Sequence, residues 1–356
     1  MAPVVKELQN RSGTAKSVVC VTGQHRELLD QGLSIFQIKP DYDLRVLEEN
    51  QSLSKLTINL FKRLEHVVEQ VRPDWIIAEG DTTTVLVAAL VSYYQRVAFG
   101  HLEAGLRTGD KYRPFPEEIN RRIADQVADV MFAPTELNRR NLLREGIRDE
   151  AILVTGNTVI DALLQATKMK YSWASGPLSV VPRDKRLVLI TAHRRESFGE
   201  PLREICRAIK ELALRFGPEG CCFVYPVHPN PNVQKPVKEI LTGVPHVNLI
   251  RPLDYLSMVH LMKSSSLILT DSGGIQEEAP SLGVPVLVMR ETSERPEAIE
   301  AGVCRLVGTD RRRIVEIATR LLQDPAEYES MATKKNPYGD GKAAQRIVSY
   351  LVEHSK

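Results

Sequence analysis

The 356-residue sequence has no apolar run long enough to cross a membrane, and residues 1–16 lack the apolar core of a secretory signal. Charge of one dominant sign is missing too. The 47 Lys and Arg against 45 Asp and Glu leave a formal +2, too little for a basic field that would hold a nucleic acid. Cysteine is sparse: Cys20, Cys206, Cys221, Cys222 and Cys304 form an odd set without metal-ligand spacing, which points to reduced thiols and a cytoplasmic location. Neither a Gly-x-Gly-x-x-Gly turn nor a Gly-Lys-Ser/Thr phosphate loop occurs, which counts against dinucleotide redox chemistry and P-loop phosphoryl transfer. Low-complexity tracts and short-period repeats are absent as well.

What is present has the balance of an ordinary globular protein, 43% hydrophobic and 26% charged, with length enough for two packed domains. Short apolar runs alternate with amphipathic stretches, the pattern of parallel sheets with crossover helices, so the expected class is α/β. Strands are expected at Ser17–Val21, Asp74–Ala78, Val97–His101, Val130–Ala133 and Ala151–Thr155, with helices at Thr82–Tyr94 and Phe115–Ala128. A second series runs through Leu187–Thr191, Cys222–Val227, Val247–Ile250, Leu267–Thr270, Val284–Met289 and Cys304–Val307. Residues 168–185, with Gly176, Pro177 and Pro182, show little periodicity, and the domain boundary is placed there: residues 1–170, then residues 171–356. The last helical pattern, Lys342–His354, has the position of a helix that crosses back onto the first domain.

Open parallel sheets place ligands where strands end. The run Leu269-Thr270-Asp271-Ser272-Gly273-Gly274-Ile275-Gln276-Glu277-Glu278 joins a buried strand to a helix through a loop of little side-chain bulk, so backbone N–H groups of Ser272, Gly273 and Gly274 can approach a phosphate. Glu278, one turn on, can accept from a vicinal diol such as a ribose. A Gly-Gly before a helix also serves as a plain tight turn. In the first half, Asp81 follows one strand, Glu103 the next, and Glu117 opens a helix. Asp81 reads equally as a helix cap and Glu117 as a partner of the helix dipole, but close carboxylates also split into proton donor and acceptor. After two strands of the second half stand His193-Arg194-Arg195 and His228. The arginines suit a diphosphate, although they can also be solvated. A metal site from His101, His193 and His228 has no local ligand spacing to support it, so no metal is expected.

The motifs of the chain, in order, are Gln24-His25-Arg26, Gly80-Asp81-Thr82-Thr83-Thr84, His101-Leu102-Glu103-Ala104-Gly105-Leu106-Arg107-Thr108-Gly109, Pro116-Glu117-Glu118, Thr155-Gly156-Asn157-Thr158, His193-Arg194-Arg195-Glu196, Asp271 to Glu278, and Glu294-Arg295-Pro296-Glu297. Together they resemble those of the non-hydrolysing bacterial UDP-N-acetylglucosamine 2-epimerases. The likeness covers nearly the whole chain. It implies a GT-B fold of two Rossmann-like domains facing across a cleft, a homodimer, and interconversion of UDP-N-acetylglucosamine with UDP-N-acetylmannosamine through elimination and return of UDP. By resemblance Asp81, Glu103 and Glu117 are acid/base groups, His193 assists near the diphosphate, and Arg121 holds the carboxylates. Ser272, Gly273 and Gly274 cradle phosphate, Glu278 takes the ribose, Arg295 nearby polar groups, and Met258 stands where the family often has Phe beside uracil. No metal or nicotinamide cofactor is implied. Gln24, Arg194 and His228 match positions tied to a second UDP-N-acetylglucosamine acting as activator.

The family opens with a strand ending in Gly-Thr-Arg-Pro-Glu, then a Lys, before a segment like Met1-Ala2-Pro3-Val4-Val5. By resemblance the first domain is therefore expected to lack that first strand, on the order of 15 residues with its turn, and Ser17–Val21 to have one open edge. Two other readings stay open: a nucleotide-sugar-binding protein without catalysis, and a GT-B glycosyltransferase or hydrolysing epimerase.

Overall fold

Apolar residues at helical spacing decide the local structure. In a computed structural model, which describes residues 1–24, 26–48 and 51–355, the helix Leu53–Val71 buries Leu56, Leu60, Leu64, Val67 and Val68 along one stripe. Ser52 caps its start by accepting from the Lys55 N–H at 3.2 Å, and Arg72, in the left-handed region at φ 48°, ends it. His25, from the Gln24-His25-Arg26 motif, lies outside the described residues.

The chain divides into two compact units, Met1–Ala162 with Tyr338–Lys356, and Leu163–Pro337. Elements in chain order are α1 (Ala2–Asn10), β1 (Cys20–Val21), α2 (Arg26–Ile35), β2 (Tyr42–Asp43), α3 (Leu53–Val71), β3 (Trp75–Glu79), α4 (Thr83–Gln95), β4 (Ala98–Leu102), α5 (Glu117–Val127), β5 (Val130–Ala133), α6 (Glu136–Arg144), β6 (Ile152–Val154) and α7 (Thr158–Ala166). The order continues with β7 (Arg186–Thr191), α8 (Glu200–Phe216), β8 (Cys221–Pro226), α9 (Pro231–Leu241), β9 (Val247–Ile250), α10 (Tyr255–Ser264), β10 (Ser265–Thr270), α11 (Gly273–Glu278), β11 (Val286–Val288), α12 (Pro296–Glu300), β12 (Cys304–Leu306), α13 (Arg311–Gln323), α14 (Pro325–Ala332) and α15 (Ala343–Glu353). No helix among the described residues is long and apolar enough to cross a membrane.

In the first unit β1 pairs with β2, and a separate parallel sheet runs β3-β4-β5-β6. All five residues of β3 are only half-buried, whereas β5 is buried throughout. Helix α15 belongs to this unit: Ala344, Ile347, Val348 and Leu351 share a core with Val4, Leu102, Val130 and Phe132. Its first N–H groups are satisfied from outside the helix, because the Asp161 carboxylate accepts from Ala343 N at 3.2 Å and Ala344 N at 2.9 Å. Gly100 on β4 lies under neighbouring side chains, and a Cβ there would stand 2.8 Å from Ile77 Cδ1 and 3.1 Å from Phe132 Cε2, so both would have to shift.

The second unit holds one six-stranded parallel sheet in the order β12-β11-β10-β7-β8-β9. The chain begins in the middle at β7, grows one way through β8 and β9, then restarts on the other side at β10. The carboxyl ends of β7 and β10 therefore diverge into loops at a topological switch point, the place where this architecture leaves room for a ligand. Residues 168–185 are tied into this unit, with Tyr171 Oη donating to Ser257 Oγ at 3.0 Å and the Tyr171 ring stacked on His260.

A buried charge network braces the strand ends of the first unit. His101 on β4 is fully buried, with Nδ1 2.6 Å from Asp125 Oδ1 and Nε2 2.7 Å from the Gly80 carbonyl. Both partners are acceptors, so the ring donates twice and carries positive charge. Asp125 Oδ2 also accepts from Gly105 N at 3.2 Å and Arg107 Nη2 at 2.7 Å, and Arg107 forms a bidentate pair with Glu145. Burial opposes the imidazolium, but the Asp125 carboxylate and the Gly80 carbonyl outweigh it and raise the His101 pKa. Burial likewise opposes the Asp125 carboxylate, and His101 with Arg107 outweigh it and lower the Asp125 pKa.

The sign of the pH dependence follows. A raised histidine pKa stabilises the fold fully below about 6.5, the unfolded value, and that contribution is lost as pH rises through the folded pKa. The lowered carboxylate pKa stabilises above about 3.9 and is lost only as pH falls through its folded value. We expect Asp125→Asn to lower stability by about 3–5 kcal/mol near pH 6 in urea denaturation, because it strands a buried charge. The alkaline decline of the parent should flatten in the variant; parallel stability curves in the two proteins would disprove the charged pair.

Candidate active site

Asp81 follows β3, but Thr82, not Asp81, occupies the cap position of α4. That frees the Asp81 carboxylate to take Arg121 Nη2 at 2.5 Å, while Asn120 Nδ2 donates to the Asp81 carbonyl at 2.9 Å. Arg121 is buried and also lies 3.5 Å from Glu118 Oε2, which accepts from Thr108 N. Glu117 is half-buried at the first position of α5 and makes no hydrogen bond or ion pair with a described residue. One helical turn separates it from Arg121, so both lie on the same face of α5, the face that meets Asp81. Glu103 sits just past β4 in the left-handed region at φ 60°, receives Asn157 Nδ2 at 3.0 Å, and its Oε2 would be 3.4 Å from a Cβ on Gly80. The first unit thus pairs Asp81 with Arg121, one turn along α5 from Glu117, and sets Glu103 against the Gly80-Asp81 turn. Gln24 is in the same unit, where Thr84 Oγ1 donates to its Oε1 at 2.9 Å.

In the second unit the switch point holds the rest. The Asp271 carboxylate, fully buried, accepts from His193 N at 2.5 Å and Arg194 N at 2.7 Å. The rings of His193 and His228 stack 5.2 Å apart at 8°. Ser272 stands at the cap position of α11 without a side-chain cap bond, and Gly273 and Gly274 form its first turn; a Cβ on Gly273 would lie 3.7 Å from Arg194 Nη2, and one on Gly274 3.7 Å from Glu278 Oε1. Gly273 is buried and Gly274 exposed, so the open backbone is that of Gly274 beside the Glu278 carboxyl. Glu278 is pushed up to about 8, first by burial and also by the neighbouring Glu277, against the hydrogen bond from Tyr255 Oη at 3.3 Å. Arg295 pairs with Glu277, and its N–H donates to Ser293 Oγ at 3.0 Å. Met258 is half-buried one turn after Tyr255 on α10, on the same helical face.

Both ring nitrogens of His101 are engaged, and no group of three or more His, Cys, Asp or Glu placed to hold a metal ion occurs among the described residues. Two functional neighbours, Asp125 and Tyr255, carry no motif of their own, whereas Asn157 and Glu277 stand inside motifs without a role having been read for them.

A family description, UDP-N-acetylglucosamine 2-epimerase, matches residues 6–352. The UDP-N-acetylglucosamine 2-epimerase of Escherichia coli K12 is 51% identical over 358 residues, covering 99% of this chain and 94% of the relative. A crystal structure of the Neisseria meningitidis enzyme bound to UDP-GlcNAc superposes with a TM-score of 0.88 at 48% identity, covering 99% of this chain and 96% of the other. The Methanocaldococcus jannaschii enzyme, at 32% identity, gives a TM-score of 0.85 with 99% and 95% covered. With its two parallel-sheet units and this likeness along nearly its full length, the chain belongs to the UDP-N-acetylglucosamine 2-epimerase family of isomerases, built on the α/β GT-B fold.

Proposed function

We propose that the chain interconverts UDP-N-acetylglucosamine and UDP-N-acetylmannosamine at C2, by eliminating UDP across C1 and C2 and adding it back. The C2 proton has no adjacent carbonyl to acidify it, so its direct removal is slow. Breaking the C1–O bond to UDP as the C2 proton leaves gives an unsaturated sugar. Return of UDP to C1, with a proton delivered to the opposite face of C2, completes the inversion. The chemistry needs acid/base groups at C2 and stabilisation of a leaving diphosphate.

The observation that carries this reading is the switch point of the second unit. The exposed Gly274 leaves its backbone open beside Glu278, and the glycine before it keeps side-chain bulk out of the space below Arg194, which suits a diphosphate beside a diol. Arg295 and Met258 would complete the nucleotide contacts. The first unit supplies Asp81, Glu103 and Glu117 as acid/base candidates, with Arg121 placing Asp81. His193 assists at the leaving diphosphate. A second UDP-N-acetylglucosamine acting as activator rests on the resemblance at Gln24, Arg194 and His228. The stacking of His228 on His193 adds a route by which a ligand at one ring is felt at the other.

A homodimer is supported by the outer face of the first unit, where α4 packs between α3 and α5 and leaves Ile58, Tyr93, Tyr94, Ile119 and Ile123 exposed. Five unpaired cysteines support a cytoplasmic setting.

Reaction in heavy water tests the elimination directly. Both nucleotide sugars should acquire deuterium at C2; product without it, or accumulation of free N-acetylmannosamine, would rule the mechanism out. Glu117→Gln should cut turnover roughly 100- to 10,000-fold while UDP affinity changes little, and near-normal turnover would remove Glu117 from the mechanism.

The elevated Glu278 pKa adds a binding prediction. Ribose hydroxyls donate to the charged carboxylate and so favour it over the neutral acid, which makes binding release a proton from a group near 8. Affinity for UDP-N-acetylglucosamine should therefore rise as pH increases from 6.5 through about 8, and this rise should vanish in Glu278→Gln. Calorimetry in buffers of different ionisation enthalpy reads the released proton; none released would place the ribose elsewhere.

A further inference from the structure

We infer that Asp271 is the residue that positions His193, holding the loop backbone with one carboxylate oxygen and selecting the imidazole tautomer with the other. The inference rests on the role given to His193 above. Oδ2 accepts the backbone N–H groups of both His193 and Arg194. Oδ1 is fully buried, accepts no hydrogen bond, and lies 3.4 Å from His193 Nδ1. A buried carboxylate oxygen without a donor is costly, and the nearby imidazole relieves it only by placing its proton on Nδ1. The alternative tautomer would set a nitrogen lone pair against the carboxylate charge. Nε2 is then the nitrogen that takes up a second proton, and it is as the imidazolium N–H that it donates to the diphosphate oxygens; it makes no hydrogen bond with a described residue.

The surroundings do not offer His193 a competing partner. His228 accepts from Asn230 N at 3.1 Å through its own Nδ1, so its proton is on Nε2, and it meets His193 through ring faces rather than ring edges. The frame is stiff. Thr191 and Thr270 hydroxyls touch at 2.6 Å across β7 and β10, and Tyr225 Oη donates to the Ala192 carbonyl at 2.7 Å. The charged and titratable groups facing the ring are Asp271 from the β10 exit, His228 from the β8 exit and Arg194 from its own loop. Burial lowers the His193 pKa, Asp271 works against that, and His228 and Arg194 add to the depression.

The test uses the whole chain and three variants, Asp271→Asn, His193→Asn and the pair. Asp271→Asn should lower kcat about 100-fold, with KM for UDP-N-acetylglucosamine and UDP affinity changed less than about 3-fold, and should move the alkaline limb of the pH profile downward, because the imidazolium is lost at lower pH without the carboxylate. In the His193→Asn background the same change should cost less than about 3-fold more, because Asp271 acts through the ring. A full-sized loss in that background would overturn the inference and leave Asp271 a purely structural anchor. Near-normal activity of His193→Asn would instead overturn the role of His193 itself, and the inference with it. Nitrogen-15 imidazole spectra of the parent protein decide the tautomer without any variant: a protonated Nδ1 is expected, and a proton on Nε2 alone would refute the positioning.

Discussion

The pairing of β7 with β10 is the constraint on which the second unit depends. These strands are remote in sequence, yet their register sets Thr191 opposite Thr270, so the residues that follow, Ala192-His193-Arg194 and Asp271-Ser272-Gly273, leave the sheet side by side. A slip of one residue would send each side chain to the other face and dissolve the arrangement. The buried aliphatic side chains of both strands hold that register, so the chemistry at the rim is fixed by packing beneath it.

Both units solve the same problem in the same way. A loop leaving a parallel strand has N–H groups without strand partners, and a buried aspartate from a neighbouring element takes them up. Asp271 receives two from the β7 exit, and Asp125 receives Gly105 N from the β4 exit while anchoring His101 and Arg107. A carboxylate suits this task because it accepts several donors at once, and each charge-assisted bond is stronger than a neutral one. The exposed, reactive-looking side chains are thus seated on others that never meet solvent.

Much of this was legible in the chain itself. The strands Val130–Ala133 and Val247–Ile250 fall where the apolar runs place them, and the loops bearing Asp81, Glu103, His193 and Ser272 leave strand ends as expected. Two-residue β2 was not legible, because Tyr42-Asp43 follows Pro40 and Asp41 and contains no apolar run of strand length. The cap reading of Asp81 failed for a local reason, Thr82 being equally able to begin a helix. Asp125 was invisible, since a lone aspartate on a polar helix looks solvated until β4 delivers a histidine to it. The partners of Glu278 and Arg295, Tyr255 and Glu277, are set by tertiary contact rather than by any periodicity.

Glu103 shows what such a site costs the fold. Its left-handed backbone is a conformation that a glycine would adopt without strain and that a glutamate holds at about 1–3 kcal/mol. Replacement by glycine would relieve that backbone strain but leave the buried Asn157 amide without its carboxylate acceptor, so the side-chain bond and the backbone conformation at position 103 pull stability in opposite directions.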